Sequence, residues 1–220
     1  MAASNRGNSA ESRRRIAVEA ARLIAEQGLR DYHSAKLKAA QLLGLGEATA
    51  LPRNAEIEAA LREHQRLFQA STQPGNLARL RNVAVEAMRF LDSFQPRLVG
   101  AVLEGTADEY SAVCLHVFVE QPERVIGFLD EHGIPFELQD RRLRFSGSVE
   151  EEFPALLFSA GGTTIDLTVF SLDGLRQAPL DRISERSMQR ANLSRVLDLL
   201  NSQESSVAIL FGTMQQKLRG

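Results

Sequence analysis

The sequence predicts an α+β protein in which a helical N-terminal region is followed by a domain built on a mixed β-sheet. Two observations support this fold class. The first third of the chain spaces its apolar residues three and four apart, as amphipathic helices do, whereas the middle carries short runs rich in Val, Phe and Leu. The 220 residues are 44% hydrophobic and 25% charged, which is ordinary for a globular protein.

Three helices are predicted in the N-terminal region. The first is capped by Ser12 and stopped by Gly28, and the second covers residues 34–43. A loop over residues 44–52, with two glycines and a proline, separates them from a third helix capped by Asn54. This region is therefore expected to consist of helices joined by loops.

The sheet domain is predicted to begin with an amphipathic helix from Leu77 to Leu91 and to end with a helix from Arg186 to Leu200. Between them, a helix that starts at Pro122 and stops at Gly133 interrupts the strands. Gly161-Gly162 is a strong hairpin signal. The predicted strands are the runs rich in β-branched and aromatic residues: 98–103, 113–119, 136–138, 143–145, 155–159 and 163–170.

These elements divide the chain into four segments. Residues 1–11 are small and polar and are predicted to be a disordered tail, because they offer little to bury. Residues 12–73 form the helical N-terminal region, residues 77–201 the sheet domain, and residues 202–220 a C-terminal tail. The break lies at Gln73-Pro74-Gly75-Asn76, where proline and glycine interrupt the helical pattern.

Composition narrows the function classes. A net charge of −2 gives no whole-chain attraction for a polyanion. The single cysteine, Cys114, rules out an intramolecular disulfide and a cysteine-rich zinc site. No signal peptide is visible, and no apolar run approaches the roughly 20 residues that span a bilayer. These observations predict a cytoplasmic protein without a membrane partner.

Three motifs of the sheet region occur in an order that resembles a known family of folds. The run Val99–Glu104 leads into Gly105-Thr106, the strand Ser111–Phe118 follows, and Asp166 lies in a later strand. In this order they resemble the nucleotidyltransferase superfamily, whose fold is shared by DNA polymerase beta and the kanamycin-type adenylyltransferases. In that family one strand ends in a Gly-Ser pair, the next carries two carboxylates two residues apart, and a later strand supplies a third.

The resemblance implies a site in which these acids hold two Mg²⁺ ions that clamp a nucleoside triphosphate. Gly105-Thr106 resembles the Gly-Ser pair, and Asp166 is the only matching acid. Ala112 and Cys114 take the places of the paired acids, but Mg²⁺ demands oxygen ligands that neither provides. The resemblance therefore predicts a degenerate member that leans towards no enzymatic activity, with no confident catalytic residue and no confident cofactor.

The leading hypothesis is a binding or regulatory protein that keeps a nucleotide or anion pocket near Gly105, Thr106 and Asp166. Its partner would be a nucleotide or another protein, and an apolar helix face leaves a homo-oligomer open. One alternative is a Mg²⁺-dependent nucleotidyltransferase with rearranged acids. The acids that could be recruited are Glu104, Asp108, Glu109 and Glu120.

A second alternative is DNA binding. The stretch Arg15–Leu29 is similar to the first helix of tetracycline-repressor-type regulators, and Ala39–Leu45 resembles the first helix and turn of a helix-turn-helix. Arg13-Arg14-Arg15 could contact phosphates, although they open the predicted helix, where its dipole disfavours cations. A recognition helix follows the turn at once, whereas here Pro52 intervenes. The next helix also carries three acids, so DNA ranks behind the other partners: Glu56, Glu58 and Glu63.

Single residues of the sheet also have a structural interpretation. Asp166 is interpreted as an outward-facing strand residue, because Thr164 and Thr168 share its side of the alternation. His116 is predicted to be buried and hydrogen-bonded, and Cys114 to be a small buried hydrophobe. The basic group Arg141-Arg142 with Arg144 is predicted at an exposed hairpin tip.

Overall fold

A computed structural model describes most of the chain. The described residues are 2–27, 29, 31–45, 50–68, 73–146, 149–181 and 184–203. They confirm the α+β class, with helices first and a five-stranded mixed sheet after them. None of the helices in these ranges is both long and apolar enough to cross a membrane. The predicted C-terminal tail lies almost wholly outside the described residues.

The chain forms two compact units. Unit 1 comprises Met1–Gln73 together with Asp181–Arg186, and unit 2 comprises Pro74–Leu180 and Ser187–Gly220. The division falls within Gln73-Pro74-Gly75-Asn76, the segment predicted as a break between the two regions.

The described residues of unit 1 form three helices, α1 (Ala2–Gln27), α2 (Tyr32–Leu42) and α3 (Asn54–Phe68). Helix α1 begins ten residues before Ser12, so the predicted cap is wrong, and the segment predicted as a disordered tail forms its first turns. No proline interrupts residues 2–11, and their single glycine costs a helix only about 1 kcal/mol. The three helices bury a small aliphatic core: Ile16, Ala20, Leu23, Ile24, Ala35, Ala39, Ile57 and Leu61.

Unit 2 combines helices with the sheet. Its elements in chain order are α4 (Gln73–Phe90), β1 (Arg97–Val99), α5 (Gly100–Glu104), β2 (Val113–Phe118), α6 (Glu123–Glu131), β3 (Glu137–Ser146), β4 (Val149–Ala160), β5 (Thr163–Phe170) and α7 (193–203). The strand order is β1-β2-β5-β4-β3. Strands β2 and β5 run parallel, whereas every other neighbouring pair is antiparallel.

Several predicted elements agree with the structure, and three do not. The predicted hairpin joins β4 to β5, and Gly161 and Gly162 both adopt the positive φ that such a turn requires. The first predicted strand is wrong beyond Val99, where α5 begins. The two short strands predicted at 136–138 and 143–145 are one continuous strand, β3. The last helix starts at residue 193 instead of 186, because the chain before it pairs Ala191 with Leu98 of β1.

The two faces of the sheet differ in chemistry, because successive residues of a strand point to opposite sides. The core face packs into the main hydrophobic core with α4, α6 and α7. Its central residues are all apolar and buried: Val113, Leu115, Val117, Ile165, Leu167 and Val169. The opposite face, called the polar face below, carries Cys114 and His116 of β2 and Asp166 and Thr168 of β5.

Candidate functional site

The polar face brings together two residues that the sequence singled out. The parallel ladder places Cys114 directly beside Asp166, and His116 beside Thr168. Cys114, which the resemblance places at a lost acid, is therefore the immediate neighbour of Asp166, the one acid that matches it. Ala112 precedes β2 and is partly exposed.

Asp166 is held by an arginine from a distant strand. Arg141 Nη1 donates to Asp166 Oδ1 and Nη2 donates to Oδ2, each over 2.8 Å, and Nη1 also donates to Thr168 Oγ1 over 2.9 Å. To reach β5 from β3, the Arg141 side chain crosses β4. On β4, the ladder partner of Thr168 is Ala155, a small buried residue on the same face of the sheet as Arg141.

The position of Arg141 corrects the predicted hairpin tip. Arg141 lies in the middle of β3, opposite Phe153 of β4, so it belongs to a strand and not to a turn. Arg142 lies on the other side of the strand and pairs with Glu152 at the surface. The carbonyl of Arg144 accepts a hydrogen bond from the Leu180 amide. The prediction failed because a polar edge strand shows little apolar alternation, and only its pairing with β4 defines it.

The ion pair gives this face a fixed positive group. Burial opposes the charge of Arg141, but the hydrogen bonds and charge of Asp166 outweigh it and raise the arginine pKa above its ordinary value. The side chains of Arg141 and Asp166 are 28% and 13% exposed. Both carboxylate oxygens are engaged, so a metal ion at Asp166 would have to displace a bidentate arginine.

The acids proposed as substitutes do not gather into a metal site. Asp108 accepts hydrogen bonds from Ser111 Oγ and the Tyr110 amide, in a local turn before β2. Glu104 is the last residue of α5, and Glu109 and Glu120 lie on exposed loops. Among the residues that the structure describes, no three His, Cys, Asp or Glu side chains are arranged to hold a metal ion.

His116 is buried and hydrogen-bonded, as predicted. It is 3% exposed, and its Nδ1 accepts a hydrogen bond of 3.0 Å from Arg190 Nε. Burial, together with the smaller effects of the Arg190 and Arg141 charges, lowers the pKa of His116 to about 3. The ring is therefore neutral near pH 7. Because Nδ1 accepts, the hydrogen bond assigns the ring proton to Nε2.

Arg190 is a site residue that the sequence does not indicate, because the pattern around it predicts a helix over residues 186–200. Its Nη1 donates to the carbonyls of Gly174 and Gln177, and its guanidinium carbon lies 5.0 Å from the ring centroids of Phe118 and Phe170. Burial and then the charge of Arg97 lower the pKa of Arg190 to about 10. Nη2 is buried and has no hydrogen-bond partner among the described residues.

Gly105 and Thr106 follow a helix instead of preceding one. Gly105, at φ +83°, is the C-terminal cap of α5. The amides of Gly105, Thr106 and Ala107 all donate to the Ala101 carbonyl, over 2.9, 3.0 and 3.2 Å. A phosphate at this position would have to displace that carbonyl, whereas anion-binding loops present amides that point towards the ligand.

Unit 1 departs from a helix-turn-helix in its connection. Helices α2 and α3 are separated by residues 43–53, whereas the motif joins its helices by three or four residues. The arginines 13–15 lie in the middle of α1, not at its start as predicted, and Arg13 Nε lies 3.4 Å from Glu56 of α3. Glu58 of α3 accepts a hydrogen bond of 2.7 Å from the Tyr32 hydroxyl.

Comparison of the chain with protein-family models, with curated proteins and with solved structures gave no match. The resemblance to nucleotidyltransferases therefore stays a prediction that depends on the motifs of this sequence alone.

Proposed function

We propose that the protein is a catalytically degenerate nucleotidyltransferase-like protein with a binding or regulatory role. On this proposal, the polar face of unit 2 binds a nucleotide or another anionic ligand without converting it. The observation that carries the proposal is the bidentate pair between Arg141 and Asp166. Asp166 is the one acid that matches the family's pattern. Its carboxylate is paired with the guanidinium of Arg141, a cation of the chain itself, where the family would place a metal ion.

The chemistry of a guanidinium explains why such a site would bind and not react. Metal-dependent transfer needs an ion that polarises a phosphoryl oxygen and orients the two reacting groups. Arg141 supplies positive charge near the same carboxylate, but it has no open coordination position for a water or a substrate oxygen. Arginine does recognise phosphate oxygens through hydrogen bonds, so charge recognition can persist without catalysis.

Thermal unfolding with ATP, GTP, CTP and UTP, each with Mg²⁺ or with EDTA, tests the binding role. A ligand that binds only the folded state raises its stability by mass action, so at least one nucleotide should raise the midpoint in a dose-dependent way. Because the cation at Asp166 is an arginine, we expect the shift to persist in EDTA. The absence of any shift at millimolar nucleotide would remove nucleotide binding.

Pyrophosphate release under the same conditions tests the absence of catalysis. We expect no release above the blank at saturating Mg²⁺ and nucleotide. Release that requires Mg²⁺ and disappears in Asp166→Ala would establish the enzyme alternative instead. Salt-sensitive binding to duplex DNA that weakens when Arg14 and Arg15 are both changed to Gln would favour the DNA-binding alternative.

A further inference from the structure

Three arginines surround His116, from strands β1 and β3 and from the segment before α7. Arg97 is its ladder partner on β1, so the two side chains lie on the same face of the sheet. Arg190 donates to Nδ1 of the histidine. Arg141 reaches Thr168, which is the ladder partner of His116 on β5. The polar face therefore gathers positive charge around one neutral imidazole.

This charge is only partly compensated by the protein. Arg141 is paired with Asp166, whereas Arg97 donates to the carbonyls of Gln95 and Pro96. Within the described part of the chain, neither Arg97 nor Arg190 has a carboxylate partner. Three guanidinium groups against one carboxylate leave two positive charges in a half-buried site, where like charges repel more strongly than in water.

One buried donor near this centre, Arg190 Nη2, has no acceptor in the described residues. An unpaired buried donor destabilises the folded state unless an acceptor is supplied. The guanidinium of Arg190 lies against Phe118 and Phe170, which stabilises its charge but leaves Nη2 without a hydrogen bond.

We infer that the cluster of Arg97, Arg141 and Arg190 beside His116 binds the phosphate group of a phosphorylated ligand without a metal ion. A phosphate monoester carries close to two negative charges near neutral pH and offers several acceptor oxygens. It therefore matches both the two uncompensated charges and the unused donor of Arg190, whereas a carboxylate would neutralise only one charge. The inference rests on the proposed binding role of this face and adds the chemical class of the ligand.

Isothermal titration with inorganic phosphate, at constant ionic strength and pH 7.5, tests the inference. We expect saturable binding to the wild-type chain and at least about tenfold weaker binding to Arg97→Gln and to His116→Phe. Arg97 is the arginine to change, because it donates only to carbonyls of the two residues before it, whereas Arg190 holds two loop carbonyls. The matched control is Arg142→Gln, which removes one positive charge from the exposed side of β3.

The outcomes separate this inference from the proposed function. Equal weakening in Arg97→Gln and Arg142→Gln would show general charge attraction and overturn the inference. Absence of phosphate binding would also overturn it, while a nucleotide-induced rise in the unfolding midpoint would leave the proposed function standing. If phosphate binds, titration with AMP identifies the source of the group. Tighter binding of AMP indicates a nucleotide, and equal binding indicates recognition of the phosphate alone.

Discussion

The two faces of the unit 2 sheet are made by the same strands and have opposite chemistry. On β2, Leu115 points into the main core while its neighbour His116 lies on the polar face. On β5, Leu167 and Thr168 divide in the same way. Because side chains alternate between the two sides of a strand, β2 with six residues and β5 with eight contribute to the core on one face and to the charged site on the other.

The comparison shows that the two faces contribute differently to stability. The core face is stabilised by removal of aliphatic side chains from water, a non-directional gain that scales with buried area. The polar face depends on matched hydrogen bonds, because each buried polar group must regain a partner that it lost on leaving water. A substitution on the core face therefore lowers the free energy of unfolding through lost packing. A substitution on the polar face lowers it by leaving a buried polar group without its hydrogen-bond partner.

The largest effect is expected on the core face, from Leu167→Ala. Leu167 is completely buried at the centre of the sheet, so the substitution removes its transfer free energy and leaves a cavity. We expect a loss of about 2–5 kcal/mol in the free energy of unfolding, measured by urea denaturation. A loss below 1 kcal/mol would show that the sheet repacks at this point.

A smaller effect is expected on the polar face, from Asp166→Asn. The change leaves the partly buried guanidinium of Arg141 without its charged partner. We expect a loss of about 1–3 kcal/mol in the free energy of unfolding, measured by urea denaturation. This is less than for a fully buried ion pair, because both side chains remain partly exposed. The double variant with Arg141→Gln should be less destabilised than the sum of the two single variants, and simple additivity would contradict the coupling.

Acid should weaken the polar face through His116. Its folded pKa of about 3 lies below its ordinary value of 6.5, so below pH 6.5 the unfolded state takes up a proton that the folded state does not. The contribution is therefore complete above pH 6.5 and is lost as the pH falls towards 3. Between pH 7 and 5.5 we expect the wild type to lose about 1.3 kcal/mol relative to His116→Asn, measured by urea denaturation at each pH. Parallel pH profiles of the two proteins would contradict this assignment.

The smallest effect is expected from Arg142→Gln. This arginine neighbours Arg141 in sequence, but its pair with Glu152 is exposed, with side chains 70% and 57% accessible. Solvent and salt screen such a pair, so we expect a change of no more than about 1 kcal/mol in the same denaturation experiment. A larger loss would mean that the exposed edge of β3 contributes more than its exposure indicates.

Local signals in the sequence were sufficient for part of this fold. Gly161-Gly162 and the β-branched run that follows it defined the hairpin and the bounds of β5, because both depend on backbone preferences of neighbouring residues. Pro122 and Gly133 bracketed α6 for the same reason. Burial of His116 followed from its place in an apolar strand.

The centre of the candidate site depends on contacts that no local pattern contains. Arg141 lies 25 residues before Asp166 in the chain and meets it only because β3, β4 and β5 are adjacent in the sheet. The sequence predicts a helix around Arg190, because the neighbouring residues are compatible with one. The pairing of Ala191 with Leu98 instead holds this segment extended. Long-range pairing of this kind competes with local propensity and prevails over it.

The parallel pairing of β2 with β5 also constrains how unit 2 can be assembled during synthesis. Val113 pairs with Ile165, so β2 leaves the ribosome with one edge unpaired and must wait for α6, β3 and β4 before its central neighbour exists. Pairing of such distant segments is slow, because the entropy of closing a long loop is lost before any stabilising contact forms. Until Phe170 has been made, the apolar residues of β2 are without the strand that completes their sheet, and the emerging chain is most exposed to misassociation over this interval.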